Sequence, residues 1–161
     1  MNRLVGISSI IFAVFAWNGA TAQPHSVPIG ELTDSMRLHP KHALILISTD
    51  WCTFCRMQKA QLRKNDDFKK AVPYLYFAEL DAGHNEDISF NGTTYSFKAT
   101  GHGTGSHELA YVLGETGNRL AFPTWVLLNE NFEIIFKFPG VIKAGELSQL
   151  LETIPRHSTP K

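Results

Sequence analysis

Two residues stand out for their chemistry. Cys52 and Cys55 are the only cysteines in a chain of 161 residues, and they lie C-x-x-C in Thr49-Asp50-Trp51-Cys52-Thr53-Phe54-Cys55-Arg56. A thiolate with a second sulfur one helical turn away can attack a disulfide. It is released when the second sulfur closes on it. The same spacing can form half of a zinc site, with His84, His102 or His107 as further ligands. No second C-x-x-C exists, and only His102 and His107 approach a ligand spacing, in a glycine-rich stretch. The three histidines are therefore expected as exposed loop residues, and no metal is expected at the site.

The elements around the cysteines favour redox work. The apolar run Ala43-Leu44-Ile45-Leu46-Ile47 has the length of a buried strand, and residues 53–64 read as a helix. The pair thus falls where a strand turns into a helix. Unpaired N–H groups and the positive end of the helix dipole stabilise a thiolate there. Cys52, nearer the helix start, is assigned as the attacking sulfur and Cys55 as the resolving one. A bridge over two intervening residues closes too small a loop to staple a fold.

Residues 1–22 contain Arg3, a mostly apolar run from Val5 to Trp17, and Ala20-Thr21-Ala22. These are the parts of a cleavable export signal, with the cut expected after Ala22. The apolar run falls short of the ~20 residues that a membrane span needs. An exported protein, periplasmic or secreted, is expected. Cleavage leaves 139 residues, and loss of Arg3 leaves 14 basic against 15 acidic side chains with no Lys/Arg run. That balance argues against a nucleic-acid partner and is compatible with a monomer of one domain.

Residues 23–30, with Pro24, His25, Ser26 and Pro28, are expected to form a mobile leader or linker, and 156–161 a tail. A short helix over 31–38 precedes the first strand. Asn65 reads as the N-cap of a helical piece through Val72, and residues 74–80 as the next strand, parallel to the first. Asn91-Gly92 between β-prone residues predicts a hairpin over 88–97, whose Phe90, Tyr95 and Phe97 are read as inner packing. Residues 101–105 are read as a flexible loop, with Ser106 capping a helix from His107 to Leu113. Two alternating strands, 124–128 and 133–138, and a helix from Ala144 to before Pro155 close the chain.

Trp51-Cys52-x-x-Cys55 after an apolar strand, with Phe122-Pro123-Thr124 opening a late strand about 70 residues on, resembles the thioredoxin superfamily. The resemblance spans roughly 44–151. It implies a three-layer α/β/α domain over 31–155 with a central mixed sheet. Residues 81–106 would be an insertion carrying the hairpin. It also implies that Pro123 is a cis-proline lying against the redox pair, that Phe122 offers backbone to a substrate strand, and that Trp51 and Phe54 rim the site. No cofactor beyond the Cys52–Cys55 disulfide is implied. The partners implied are disulfide-containing client proteins and a transmembrane electron donor, since the site is also similar to the soluble C-terminal domain of transmembrane thiol:disulfide interchange proteins.

Two departures from thioredoxin matter. The buried aspartate six residues before the first cysteine is replaced by Leu46, and its partner lysine by Phe77 or Ala78. Asp50 and Glu79 are nearby carboxylates that could substitute, with Asp50 expected to be solvated. Thr53-Phe54 between the cysteines contains no histidine to stabilise Cys52 as a thiolate, so a reducing potential is expected. The expected function is reduction of protein disulfides or electron relay. The alternatives are an oxidase or isomerase using the same cysteines, and a non-catalytic binding module gripping a partner through the insertion.

Overall fold

Residues Ala43 to Ile47 are all buried, so both faces of their strand must be covered by other elements. The computed structural model, which describes residues 26–156, supplies both covers. The export signal read over 1–22 and the tail beyond 156 lie outside the described residues.

Strand β1 (Ala43–Ser48) runs into helices α2 (Thr53–Lys64) and α3 (Asp66–Ala71), and the chain returns as β2 (Tyr76–Asp81). β2 is parallel to β1, with Ala43 opposite Tyr76 and Leu46 opposite Glu79. Late in the chain β7 (Thr124–Leu128) pairs antiparallel with β1, and β8 (Ile134–Pro139) folds back antiparallel on β7 as a hairpin. The sheet order is β2-β1-β7-β8. Helix α1 (Leu32–Leu38) precedes β1, α4 (Glu108–Gly114) precedes β7, and α5 (Ala144–Glu152) follows β8.

Period-two alternation sorts the side chains into two cores. Ile45, Ile47, Leu80 and Val126 face α1 and α4 through Leu32, Met36, Leu109 and Leu113. Leu44, Leu46, Phe77 and Trp125 face α2, α3 and α5 through Leu62, Phe68, Leu147 and Leu151. The result is the three-layer α/β/α arrangement with a central mixed sheet.

Local signals fix several boundaries. Asn65 caps α3, its side chain accepting the Phe68 N–H at 2.8 Å. Asn91 and Gly92 take positive φ of 47° and 83°, the backbone a tight hairpin turn requires. That turn joins β3 (Ile88–Phe90) to β4 (Thr93–Tyr95). Ile88 and Phe90 enter the core on the α1 face, and the Asn91 N–H donates to Thr33 Oγ1 of α1 at 2.9 Å.

Three expectations need correction. The 101–105 stretch is not an open loop. β5 (Phe97–Gly101) and β6 (Thr104–His107) form a second hairpin turning at His102-Gly103, so Phe97 belongs to this hairpin and not to the first. The leader is also engaged. Ser26 bridges to Phe77 and the Val27 N–H donates to the Phe77 carbonyl at 2.7 Å, which covers part of the β2 edge. Finally, His107 is fully buried, not exposed, and it replaces Ser106 as the cap of α4.

His107 Nδ1 accepts the Leu109 N–H at 3.2 Å, and Nε2 lies 3.2 Å from the Glu86 carbonyl. This pattern assigns the neutral tautomer with its proton on Nε2. Burial pushes the imidazole below its ordinary value and His84 adds to this, against the Glu86 carbonyl and the charges of Glu108 and Asp87. The folded state thus binds fewer protons than the unfolded chain. The stability from neutral His107 is complete above about pH 6.5, the unfolded value, and is lost as pH falls through the lowered folded value. His107→Asn keeps a capping side chain but cannot titrate. Urea unfolding across pH 5–7 should therefore give a flatter stability profile for the variant. An unchanged slope would assign the pH dependence to other groups.

Glu108 ties the same corner together. Its carboxylate accepts the Ser96 N–H at 2.9 Å and pairs with Lys98 at 3.2 Å. These two contacts hold its carboxyl below the usual range.

Candidate active site

The redox turn lies between β1 and α2. Cys52 is the N-cap of α2, and its Sγ accepts the Cys55 N–H at 3.1 Å. The two cysteines form a disulfide, with Cα atoms 5.2 Å apart. Cys52 is 5% exposed and Cys55 1%, so the first sulfur is the more accessible, although both are buried. The first turn of α2 holds no acidic side chain, leaving its positive end uncompensated beside Cys52.

Arg56 braces this turn. Its guanidinium donates to the Asp50 carbonyl at 2.9 Å and to Thr53 Oγ1 at 3.1 Å. Sequence reasoning passed over Arg56. The signal was its place four residues after Cys52, one turn along the same helix face.

β7 begins beside the end of β1, with Thr124 opposite Ile47. Pro123 therefore stands at the sheet end where the redox turn starts, and the Phe122–Pro123 peptide is cis. The rings of Trp51 and Phe122 meet edge to face at 5.7 Å, joining the cysteine turn to the proline turn. Trp51 is 74% exposed and Phe54 63%, so neither is core packing. Neither the N–H nor the C=O of Phe122 has a hydrogen-bond partner among the described residues. The Pro123 carbonyl accepts the Gly140 N–H at 2.7 Å.

The remaining sequence candidates separate from this cluster. Leu46 is fully buried in the core that faces α2, α3 and α5, so the position six residues before Cys52 is apolar. Glu79 lies opposite Leu46 in register but pairs with Lys59 of α2 at 2.6 Å. Asp50 is exposed. His84 lies in the insertion and His107 at its end, in the last position of β6, their rings 6.2 Å apart, and both ring nitrogens of His107 are engaged. Among the described residues no group of three or more His, Cys, Asp and Glu side chains could hold a metal ion.

Gln58 is a further residue that the sequence did not mark. It is 1% exposed, and its amide pairs with the backbone of Ile142. Oε1 accepts the Ile142 N–H at 2.8 Å and Nε2 donates to the Ile142 carbonyl at 3.2 Å. This fastens α2 to the segment between β8 and α5.

A central mixed sheet between two helical layers, with a Cys-x-x-Cys disulfide capping the helix after its first strand, defines a thioredoxin-like fold whose redox centre is its own cysteine pair. The arrangement is consistent with thiol–disulfide exchange. The chain belongs to the thioredoxin-like domain family, whose model matches residues 31–155. No curated relative matches the chain. Solved structures match in fold. A thioredoxin-fold protein from Helicobacter pylori is 16% identical with a TM-score of 0.51, over 82% of this chain and 73% of its own. A mutant thioredoxin from Halobacterium salinarum is 18% identical with a TM-score of 0.52, over 88% of this chain and 100% of its own. A protein described as DsbH oxidoreductase is 14% identical with a TM-score of 0.54, over 92% and 93%.

Proposed function

We propose that this protein is an exported protein-disulfide reductase or electron relay, working through Cys52 and Cys55. The observation that carries the reading is the position of Cys52 Sγ. It caps α2, accepts an N–H, lies bonded to Cys55, and is flanked by the Trp51–Phe122 contact. In the reduced protein the Cys52 thiolate attacks a client disulfide. A bond forms between Cys52 and one client sulfur, the client S–S bond breaks, and the other client sulfur leaves as a thiolate that takes up a proton. Cys55, deprotonated, then attacks Cys52. The Cys52–Cys55 bond re-forms and the second client thiolate is released, so two electrons have passed to the client. A dithiol donor restores the reduced pair, and a transmembrane electron conduit is the source this reading assigns.

Phe122 serves as the backbone partner of an extended client segment, and Trp51 and Phe54 as the apolar rim. Pro123, having no N–H, does not compete for the client's acceptors. Export rests on the Arg3, apolar-run and Ala-x-Ala features of residues 1–22, and fractionation with N-terminal sequencing tests it. Among the described residues no helix is long and apolar enough to cross a membrane.

Direction is read by equilibrating the pair with glutathione or dithiothreitol buffers. The expected potential lies below about −220 mV, among reductants and relays. A value above about −180 mV would assign oxidase or isomerase work. Failure to cycle reversibly between dithiol and disulfide would remove the redox reading and return the binding-module alternative.

A further inference from the structure

Beside the redox turn lies a groove of about 580 Å³, within the ~300–1,000 Å³ range of clefts that take a ligand. Asp50 and Trp51 form one side, Asp81 follows at the end of β2, and Phe97, Ala99 and Gly105 of the second hairpin form the other. The insertion therefore builds a wall facing the attacking cysteine's own turn. Gly105 is required for that wall, since a Cβ there would collide with the Phe97 ring and the Lys98 carbonyl.

The groove's charge has one sign. Among the described residues neither the Asp50 nor the Asp81 carboxylate makes an ion pair. Asp81 spends one oxygen, Oδ1, on the Gly83 N–H at 2.9 Å. The nearby cations lie outside the lining: Arg56 hydrogen-bonds the Asp50 carbonyl and Thr53 behind the turn, and Lys98 pairs with Glu108. Thr49, which also lines the groove, is 6% exposed, and its hydroxyl has no hydrogen-bond partner among the described residues. Carboxylates without an ion-pair partner, in a groove with Trp51 on one side and Phe97 on the other, match a long cationic side chain, whose stem packs on rings while its head meets the charges.

We propose that this groove binds a Lys or Arg side chain of the client polypeptide, close in sequence to the cysteine that Cys52 attacks. The insertion is thus a specificity element for basic segments. The inference rests on the disulfide-reductase reading: Cys52 still forms the bond to the client sulfur, the client S–S bond still breaks, and a dithiol donor still restores the pair. The groove decides which disulfides are presented.

The test uses pre-reduced full-length mature protein and synthetic disulfide peptides identical except for the residues flanking one cysteine: Lys/Arg, Gln, or Glu. Single-turnover rates are read by stopped-flow at ~0.01 M ionic strength, where charges act over ~30 Å. The basic peptide should react about tenfold faster than the acidic one, and the ratio should collapse near ~1 M salt, where the range is ~3 Å. Asp50→Asn combined with Asp81→Asn should reduce the ratio to about twofold. Asn at 81 retains the oxygen that accepts from Gly83, and each single variant reads the same ratio if the double one folds poorly. Glu152→Gln, removing an exposed carboxylate of α5, should preserve the ratio and so separate the groove from net charge. Equal rates for the three peptides, or a preference that survives the double substitution, overturn the groove assignment and leave the reductase reading intact. A protein that reduces none of the peptides overturns the reductase reading itself.

Discussion

Replacing Cys52 by serine should abolish disulfide reduction, lowering the rate at least about a thousandfold, equivalent to ~4 kcal/mol of barrier. A serine hydroxyl stays protonated at neutral pH and cannot form the mixed disulfide through which exchange proceeds. Cys55 should not substitute efficiently, because it is 1% exposed, one turn further into α2. Cys55→Ser should give the complementary result. Cys52 can still attack, its Sγ still accepts the N–H of residue 55, but no sulfur remains to release the client. One client molecule should accumulate per protein as a mixed disulfide, seen by intact mass and dissolved by dithiothreitol. Insulin reduction followed by turbidity reads the first variant. Capture of clients by Cys52→Ser through Cys55 would reverse the assigned order of the two sulfurs.

The second large effect is on stability. Gln58→Leu should cost about 2–4 kcal/mol, the penalty for leaving a buried N–H and a buried carbonyl without partners. Leucine fills similar space but offers neither the acceptor that meets the Ile142 N–H nor the donor that meets its carbonyl. Gln58 lies three residues after Cys55 on α2, and Ile142 is 3% exposed. Water therefore has poor access to replace the lost bonds. The variant should show a lower urea midpoint at unchanged m-value, which marks a stability change and not a change in the unfolded ensemble. A loss under about 1 kcal/mol would mean that rearrangement or solvent satisfies Ile142.

The legible part of this protein was local. Helix α2 begins at Thr53 and ends at Lys64, as its pattern predicts, because the redox turn opens it and Asn65, a better cap than helix former, closes it. The unbroken apolar run at Ala43 becomes a central strand, since only a position covered on both faces stabilises such a run, and residues 124–128, read as an alternating strand, are buried at every position beside it. Asn91-Gly92 turns where expected because few other residue pairs tolerate two positive φ values. Together with the Cys-x-x-Cys spacing and Phe122-Pro123-Thr124, these signals sufficed for the fold class and the redox pair.

The second hairpin was hidden because Thr104-Gly105-Ser106 has no apolar alternation. Its strands form because β5 lies alongside to supply the ladder, and because Gly105 gives the Phe97 ring room to lie across it. That pairing buries His107 and makes a histidine into a helix cap, which composition would assign to the surface. Gln58 looked like any polar residue on an exposed helix until the β8–α5 segment folded over it. Ser26 and Val27 joined the sheet edge because β2 offered an unpaired ladder. The sequence by itself thus determined most of the helices and sheet strands, the first hairpin and the two sulfurs, since each depends on neighbours a few residues away, while the layering was implied by the family resemblance. Only the tertiary structure decided the groove beside Cys52 and the polar pairs that fasten it. Those depend on contacts between segments tens of residues apart, whose energy exists only once the sheet has brought them together.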